Sequence, residues 1–448
     1  MGKQIFYLVG SLYTMAIVPI SSVPQAPGVY PIVNLAGVFS TDTPNPGRCY
    51  MIFSGSKGIS NLPIAVTSYS EFVEYFDLTP ATPTIPLVTL DAVKAFFDTT
   101  GSIGELYAVR VGGVTSPALP TLAQYISALN AFSDELPHGY LICPEGYASL
   151  KTLADRVALE TAIEALISQF DYQWVHIVDS APPVEFYAVT NTVLPDGRTI
   201  TPSMPGYVGS LPSPTLTGSA TSLITWLQSD VANYSSPLGH CSYIANYGVN
   251  TSNRLVAPSI LQVAVAQVRY YQDSFRVAPA GVKAPLKGLV NVGFNFNKSH
   301  QSALNGSHIN ILRRFSGYGV CVYGERTLYK QDSAFRFIHT RVIMNVLIAS
   351  LRTAYIPLVF DPIDGQGVTF QLVRQVAVQI CNRFWQGGAL YGQTPDQAYA
   401  VRCDASNNLA VDLELGVLRV DVWAAPVGVA ERILVGILRV PIGQVPQN

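Results

Sequence analysis

The chain is 448 residues long, 49 % hydrophobic, and carries Asp, Glu, Lys and Arg at only 12 % of its positions, about half the charge of an ordinary soluble protein. That length exceeds what one core sustains and calls for two or three domains. The 27 basic and 29 acidic residues nearly cancel, to −2, and without a basic tract no nucleic acid is expected as a direct partner.

Surface left uncovered by charge is either polar and uncharged or buried against other copies of the chain; the second reading makes the protein an obligate assembly. Residues 1–47 are proline-rich and aperiodic and read as an extended N-terminal arm. Within it the apolar run Ile5–Ile20 reaches 16 residues and is broken by Gly10, Ser11 and Thr14. A membrane-spanning helix needs about 20 apolar residues, so no span is expected. An edge strand or packed arm is the first reading of this run, with an interfacial helix and a targeting segment as alternatives.

Residues 48–113 form a compact unit that opens with the buried strand Arg48–Gly55. A helix follows, capped by Ser68 or Ser70 ahead of Phe72, Val73 and Phe76; a second carries Leu90, Val93, Phe96 and Phe97 and stops at Gly101. Glu105–Gly113 is the next strand, and the Gly, Ser, Thr and Pro cluster Gly112–Pro120 marks a change of unit. Residues 114–284 repeat the pattern as a middle α/β domain. It reads as helix Leu122–Phe132, strand Gly139–Gly146, helix Leu150–Phe170, strand Trp174–Ser180, a proline-punctuated insertion over 181–221, strand Ser242–Gly248 and helix Ser259–Tyr271. Such alternation predicts a layered α/β fold.

Residues 285–430 bring strands Ile309–Phe315 and Tyr318–Leu328, a helix over Phe335–Ala354, a buried strand Ile356–Pro362, and a helix Thr369–Gln386 with Val373, Ala377, Ile380 and Phe384 as its inward stripe. Leu418, Val420 and Val422 alternate with Arg419, Asp421 and Trp423, the pattern of a half-buried strand. Residues 431–448 read as a linking strand and tail, the strand covering Ala430–Val440 and free to join its own sheet or a neighbour's.

Motifs for chemistry are missing: there is no G-x-x-x-x-G-K-[ST] loop, no H-E-x-x-H and no G-x-S-x-G elbow. GSKG at Gly55–Gly58 lacks the spacing and hydroxyl residue of a phosphate loop. The six histidines include no i, i+4 pair. The six cysteines form no C-x-x-C and read as buried free thiols in a reducing compartment. Asp179 at a strand end, and Asp361 and Asp364 around a turn, are what an α/β active site would use, although turn and helix capping is the weightier reading. No catalytic residue, cofactor or metal site is therefore expected, and an enzyme with a strand-end site remains the rival. Arg313, Arg314, Arg326, Arg336, Arg341 and Arg352 make one region basic, suited to inter-subunit ion pairs, an acidic partner or plain solvent.

Four ordered segments, INILRRFSGYGVCVYGERTL, RFIHTRVIMNVLIASLRTAYIPLVFDP, FWQGGALYGQTPDQAYAVRCD and VWAAPVGVAE, resemble the C-terminal domain of contractile phage-tail and injection-system sheath proteins. PGVY at Pro27–Tyr30 and APLKGLVNVGF at Ala284–Phe294 are collinear with the same family, whereas His339 stands near where it often has Asn. The resemblance implies a multidomain sheath fold, with mixed sheets flanked by helices and extended N- and C-terminal arms. It implies a tail-sheath subunit assembled in the bacterial cytoplasm as helically stacked hexameric rings around an inner tube. The finished phage tail or injection particle would contract to drive the tube through a target envelope, with baseplate and terminator or cap proteins as further partners. Arms holding Pro27, Gly28, Val29 and Tyr30, and Ile433, Val435 and Ile437, would complete neighbours' sheets by β-augmentation. Arg374 and Arg383 would face the tube. Another tail or baseplate component is the alternative.

Overall fold

The computed structural model describes residues 6–8, 11–13, 46–55, 57–77, 85–114, 120–133, 135–150, 152–170, 174–180, 192–193, 199–200, 220–252, 254–331 and 334–432. Strand β1 (Cys49–Phe53) explains the layering. All its residues are buried; Cys49, Met51 and Phe53 enter one core while Tyr50 and Ile52 enter another, because successive side chains of a strand leave opposite faces. A strand apolar on both sides belongs inside a sheet covered twice by helices.

The strands that follow are β2 (Pro63–Val66), β3 (Leu106–Arg110), β4 (Gly139–Ile142), β5 (Trp174–Asp179), β6 (Cys241–Ala245), β7 (Gly248–Asn250), β8 (Leu255–Val256), β9 (Leu289–Val292), β10 (Ile309–Phe315), β11 (Gly319–Val322), β12 (Tyr399–Arg402) and β13 (Asp421–Ala424). The longer helices are α1 (Tyr69–Phe76), α2 (Leu87–Thr100), α3 (Leu122–Leu129), α4 (Leu153–Gln169), α5 (Ala220–Val231), α6 (Pro258–Asp273), α7 (Lys298–Gly306), α8 (Ile338–Tyr355) and α9 (Val368–Gln386). Eight strands make one mixed sheet in the order β11-β10-β6-β5-β4-β1-β3-β2. From β10 to β3 every pair is parallel, and the strand at either edge is antiparallel. This sheet takes strands from residues 48–113, 114–284 and 285–430, with those of the middle segment at its centre. A second, three-stranded sheet runs β8-β7-β9, and β12 pairs with β13 as a third.

One face of the large sheet meets α1, α2, α6, α8 and α9 in the largest core; α3 and α4 cover part of the other face, and α5 and α7 the rest. Helix α6 is buried continuously from Pro258 to Gln267, which accounts for its lack of charge before Arg269. Helix starts follow their caps. Ser68 accepts from the Glu71 amide, and Thr121 and Gln124 form a reciprocal capping box at α3. Within the Ile5–Ile20 run, Phe6–Leu8 and Ser11–Tyr13 pair as an antiparallel hairpin. All six cysteines are free and buried. Among the described residues one helical stretch, Ile338–Leu358, is long and apolar enough to cross a membrane, and it is largely buried inside the chain.

Two strand expectations fail. Ile356–Pro362 is no buried strand: Ile356–Leu358 is a single 3₁₀ turn after α8, and Ile356 and Phe360 are 58 % and 84 % exposed. Pro357 sits in that turn, and among the described residues no strand pairs with it. In the 416–426 segment only Asp421–Ala424 is strand, and Asp421, expected outside, is buried. Its carboxylate is compensated by Arg402 and Arg419 at 3.2 and 2.8 Å, so burial costs little. The strand expected over Tyr318–Leu328 ends at Val322.

Candidate functional site

The strand ends where an α/β enzyme would keep its catalytic groups hold capping groups instead. Asp179, at the end of β5, accepts hydrogen bonds from the Ser259 amide and hydroxyl, both at 2.6 Å, and so fixes the start of α6. Glu145 accepts from the Ser54 amide and hydroxyl and from Thr89, tying β1 to α2. Burial pushes each carboxyl up to about 7. His176 beside them is held neutral by burial, its pKa lowered to about 4, with Nδ1 against the Leu141 carbonyl at 2.9 Å. The cavity that Asp179 and His176 line is about 40 Å³, far below the roughly 300 Å³ of a small-ligand pocket. Asp364 caps α9 through the amides of Gln366, Val368 and Thr369, and Asp361 is exposed.

The C-terminal region has a different character. Strands β12 and β13 pair from Tyr399↔Ala424 to Arg402↔Asp421 and, among the described residues, with no other strand. An isolated two-stranded sheet is marginal in water and offers unpaired edges. This one lies on α9, whose buried residues are Val373, Ala377, Ile380, Cys381 and Phe384, the expected inward stripe with Cys381 added. Exposed large apolar side chains are frequent in the same region. Among the described residues eight of fifteen fall between residues 356 and 415, including Phe360, Tyr391, Leu409, Val411 and Leu415.

A strap leads from β13 to the C-terminal residues and is fastened in three places. The Tyr391 amide donates to the Ala425 carbonyl at 2.7 Å and the Val427 amide to Ala389 at 2.9 Å. His339, fully buried on α8, holds the Val427 carbonyl with Nε2 at 3.0 Å while Nδ1 meets Glu325 at 2.9 Å. Burial opposes protonation of His339, but the Glu325 carboxylate outweighs it and raises the pKa above its ordinary value. Arg326 clasps Glu431 with Nε to Oε1 at 2.9 Å and Nη2 to Oε2 at 2.7 Å. The position where the resembled family often has Asn is thus occupied here by a strap anchor.

Pro27, Gly28, Val29, Tyr30, Ile433, Val435 and Ile437 lie outside the described residues. Arg374 and Arg383 are exposed on α9, and Arg374 Nε reaches the Val401 carbonyl of β12 at 3.4 Å. Three of the arginines expected to serve partners are engaged within the chain. Arg313 donates to Gln301, Arg326 to Glu431, and the buried Arg341 to Asn345 while stacking over Phe335. The Glu325–His339 and Arg326–Glu431 contacts escaped sequence reasoning, since nothing in spacing links residues 14 and 105 positions apart.

No protein-family model matches the chain, and no curated protein matches it. Solved structures do. The chain is similar to the helical sheath of the anti-feeding prophage in its contracted state, with a TM-score of 0.62 and 21 % identity over 93 % of this chain and 100 % of that one. It is similar to the sheath complex of the PVC extracellular contractile injection system in its contracted state, at 0.63 and 18 %, over 94 % and 99 % of the two chains. A sheath tail protein from Listeria innocua matches at 0.50 and 9 %, over 82 % and 91 %. Along nearly its whole length the chain therefore has the mixed α/β fold of these sheath proteins.

Proposed function

We propose that this chain is the structural subunit of a contractile sheath, assembling as helically stacked hexameric rings around an inner tube and contracting to drive that tube through a target envelope. The observation that carries the reading is fold similarity over more than nine-tenths of the chain to sheath structures in the contracted state. The β12–β13 pair supports it, because its edges, which among the described residues meet no further strand, are what a neighbour's arm would fill. In this reading the arm with Pro27–Tyr30 and the segment with Ile433, Val435 and Ile437 add strands to adjacent copies. Main-chain hydrogen bonds then hold rings together while the subunits rotate. Arg374 and Arg383 face the tube from α9. Baseplate and terminator proteins close the two ends, and assembly takes place in the bacterial cytoplasm before the particle is used.

Contraction needs no bond chemistry: its free energy is the difference between inter-subunit contacts in two states. The capped strand-end carboxylates fit a scaffold. Electron microscopy of the purified full chain is the test. Hollow striated cylinders are expected; uniform monomers at high concentration would overturn the proposal. Deleting residues 1–30 should leave a folded chain that forms no cylinders, and unimpaired growth would remove the N-terminal arm from the mechanism.

A further inference from the structure

Away from the assembly surface, α4 carries Glu160 and Glu164 one turn apart, and β6 begins beside them with Cys241. One carboxylate oxygen of each glutamate and the Cys241 sulfur lie within 4.8 Å of one another. Glu160 is 4 % exposed and Cys241 is fully buried, yet Glu160 Oε1 has no hydrogen-bond partner. Two acids and a thiol turned toward each other in a dry interior are costly as anions unless something neutralises them. Burial and the neighbouring Glu164 push Glu160 up to about 8, burial pushes Glu164 up to about 7, and burial raises the Cys241 thiol.

The surroundings are built around these groups. Ser236 joins two of them, its hydroxyl donating to Glu164 and accepting from the Cys241 amide at 2.9 Å. Two guanidiniums lie nearby: Arg341 acts on Glu164 through its charge, and Arg156 lines the adjoining cavity with Glu160. On the open side Glu160 lines the cavity of about 40 Å³ together with Tyr234. A space of that size admits a water.

We propose that Glu160, Glu164 and Cys241 bind one divalent transition-metal ion of the zinc type, with a water from the adjoining cavity as fourth ligand. A thiolate with two carboxylates suits a borderline cation; calcium and magnesium require six or more oxygens. Tetrahedral zinc, at about 2.3 Å to sulfur and 2.0–2.2 Å to oxygen, sets ligand atoms roughly 3.5 Å apart, so the three donors close by about 1 Å on binding. Ser236 orients two ligands from behind, as metal sites ordinarily require. The metal replaces the protons on the three ligands, which leave to solvent, so affinity rises with pH. Once bound, the ion pins the α4 layer to strand β6 at the heart of the sheet.

The test uses the full chain stripped with EDTA and titrated with Zn²⁺ alone, then with Co²⁺ as a spectroscopic substitute. Expected are one ion per chain, a raised melting temperature, and a thiolate-to-cobalt charge-transfer band. Cys241→Ser and Glu160→Gln should each weaken Zn²⁺ binding at least tenfold, the former also abolishing the band, while the exposed Glu414→Gln leaves both intact. Failure to retain stoichiometric Zn²⁺, unaltered affinity in both variants, or a cobalt spectrum without the thiolate band would each overturn the site. Should the variants not fold, the wild-type cobalt spectrum decides alone.

Discussion

Glu431→Gln isolates the clasp that launches the C-terminal segment. The Arg326 side chain is 8 % exposed and that of Glu431 24 %, so the pair is largely shielded from water. Removing one partner of a fully buried pair costs about 3–5 kcal/mol, chiefly by stranding the other charge. Here Glu431 is partly wet, Arg326 keeps the Asn305 carbonyl, also through a hydrogen bond, and glutamine still accepts one bond; about 2 kcal/mol is the reasoned loss. The damage should be local, because the strap is held elsewhere by single backbone bonds, the His339 contact and the packing of Val427 on the main core. Hydrogen exchange at the Val427 amide should therefore quicken about 30-fold, as each 1.4 kcal/mol is a factor of ten, with little change in the global urea midpoint. Adding Arg326→Gln should recover part of the loss through a coupling term. Exchange within threefold of wild type, or equal protection losses throughout the molecule, would refute the idea that this pair fastens the strap.

Three further outcomes are expected. In EDTA, stability should fall as pH rises from 5 to 8. Folded Glu160 and Glu164 hold protons up to about 8 and about 7, against an ordinary 4.5, so their contribution is complete below about pH 4 and is lost as pH climbs through those values. Glu160→Gln should flatten that profile by an amount on the order of 3 kcal/mol in urea titrations; an identical profile would contradict it. Gly139→Ala should cost about 2–4 kcal/mol by urea denaturation, because a Cβ there stands 2.5 Å from the Arg48 carbonyl oxygen and 2.9 Å from the Tyr50 ring. Reversing Arg374 and Arg383 to Glu should leave the unfolding free energy from urea titration within about 0.5 kcal/mol but block co-assembly with the tube protein, read by electron microscopy; normal filled cylinders would clear α9 of tube contact.

What the sequence disclosed, and what it hid, divides by the range of the interaction. Local rules carried the Ser68 cap, the Cys49–Phe53 strand and the α9 stripe, because period and capping act within a few residues. The short strands β2 and β7–β9 and helix α7 lacked enough length to show a period. The Glu160, Glu164 and Cys241 cluster depends on the register of α4 over β6, across an insertion whose length says nothing about that register. Asp421 read as a solvent-side residue because its compensating arginines, Arg402 and Arg419, only converge on it once β12 pairs with β13.

The failed strand at Ile356–Pro362 has a further cause. Hydrophobic pattern reading assumes that an apolar residue is buried by its own chain. Here Ile356, Phe360, Val368 and Leu372 follow one another along the chain and all are exposed, while the stripe on the inner face of α9 is fully used. One short region thus holds apolar residues of two kinds, those that build the subunit's core and those left for another surface. In the proposed sheath the second kind is buried by neighbouring copies or the tube. The C-terminal third is also where β12–β13, among the described residues, meets no further strand. Exposed apolar side chains and strand edges that, among the described residues, meet no further strand are what a subunit needs if its fold is completed only by assembly.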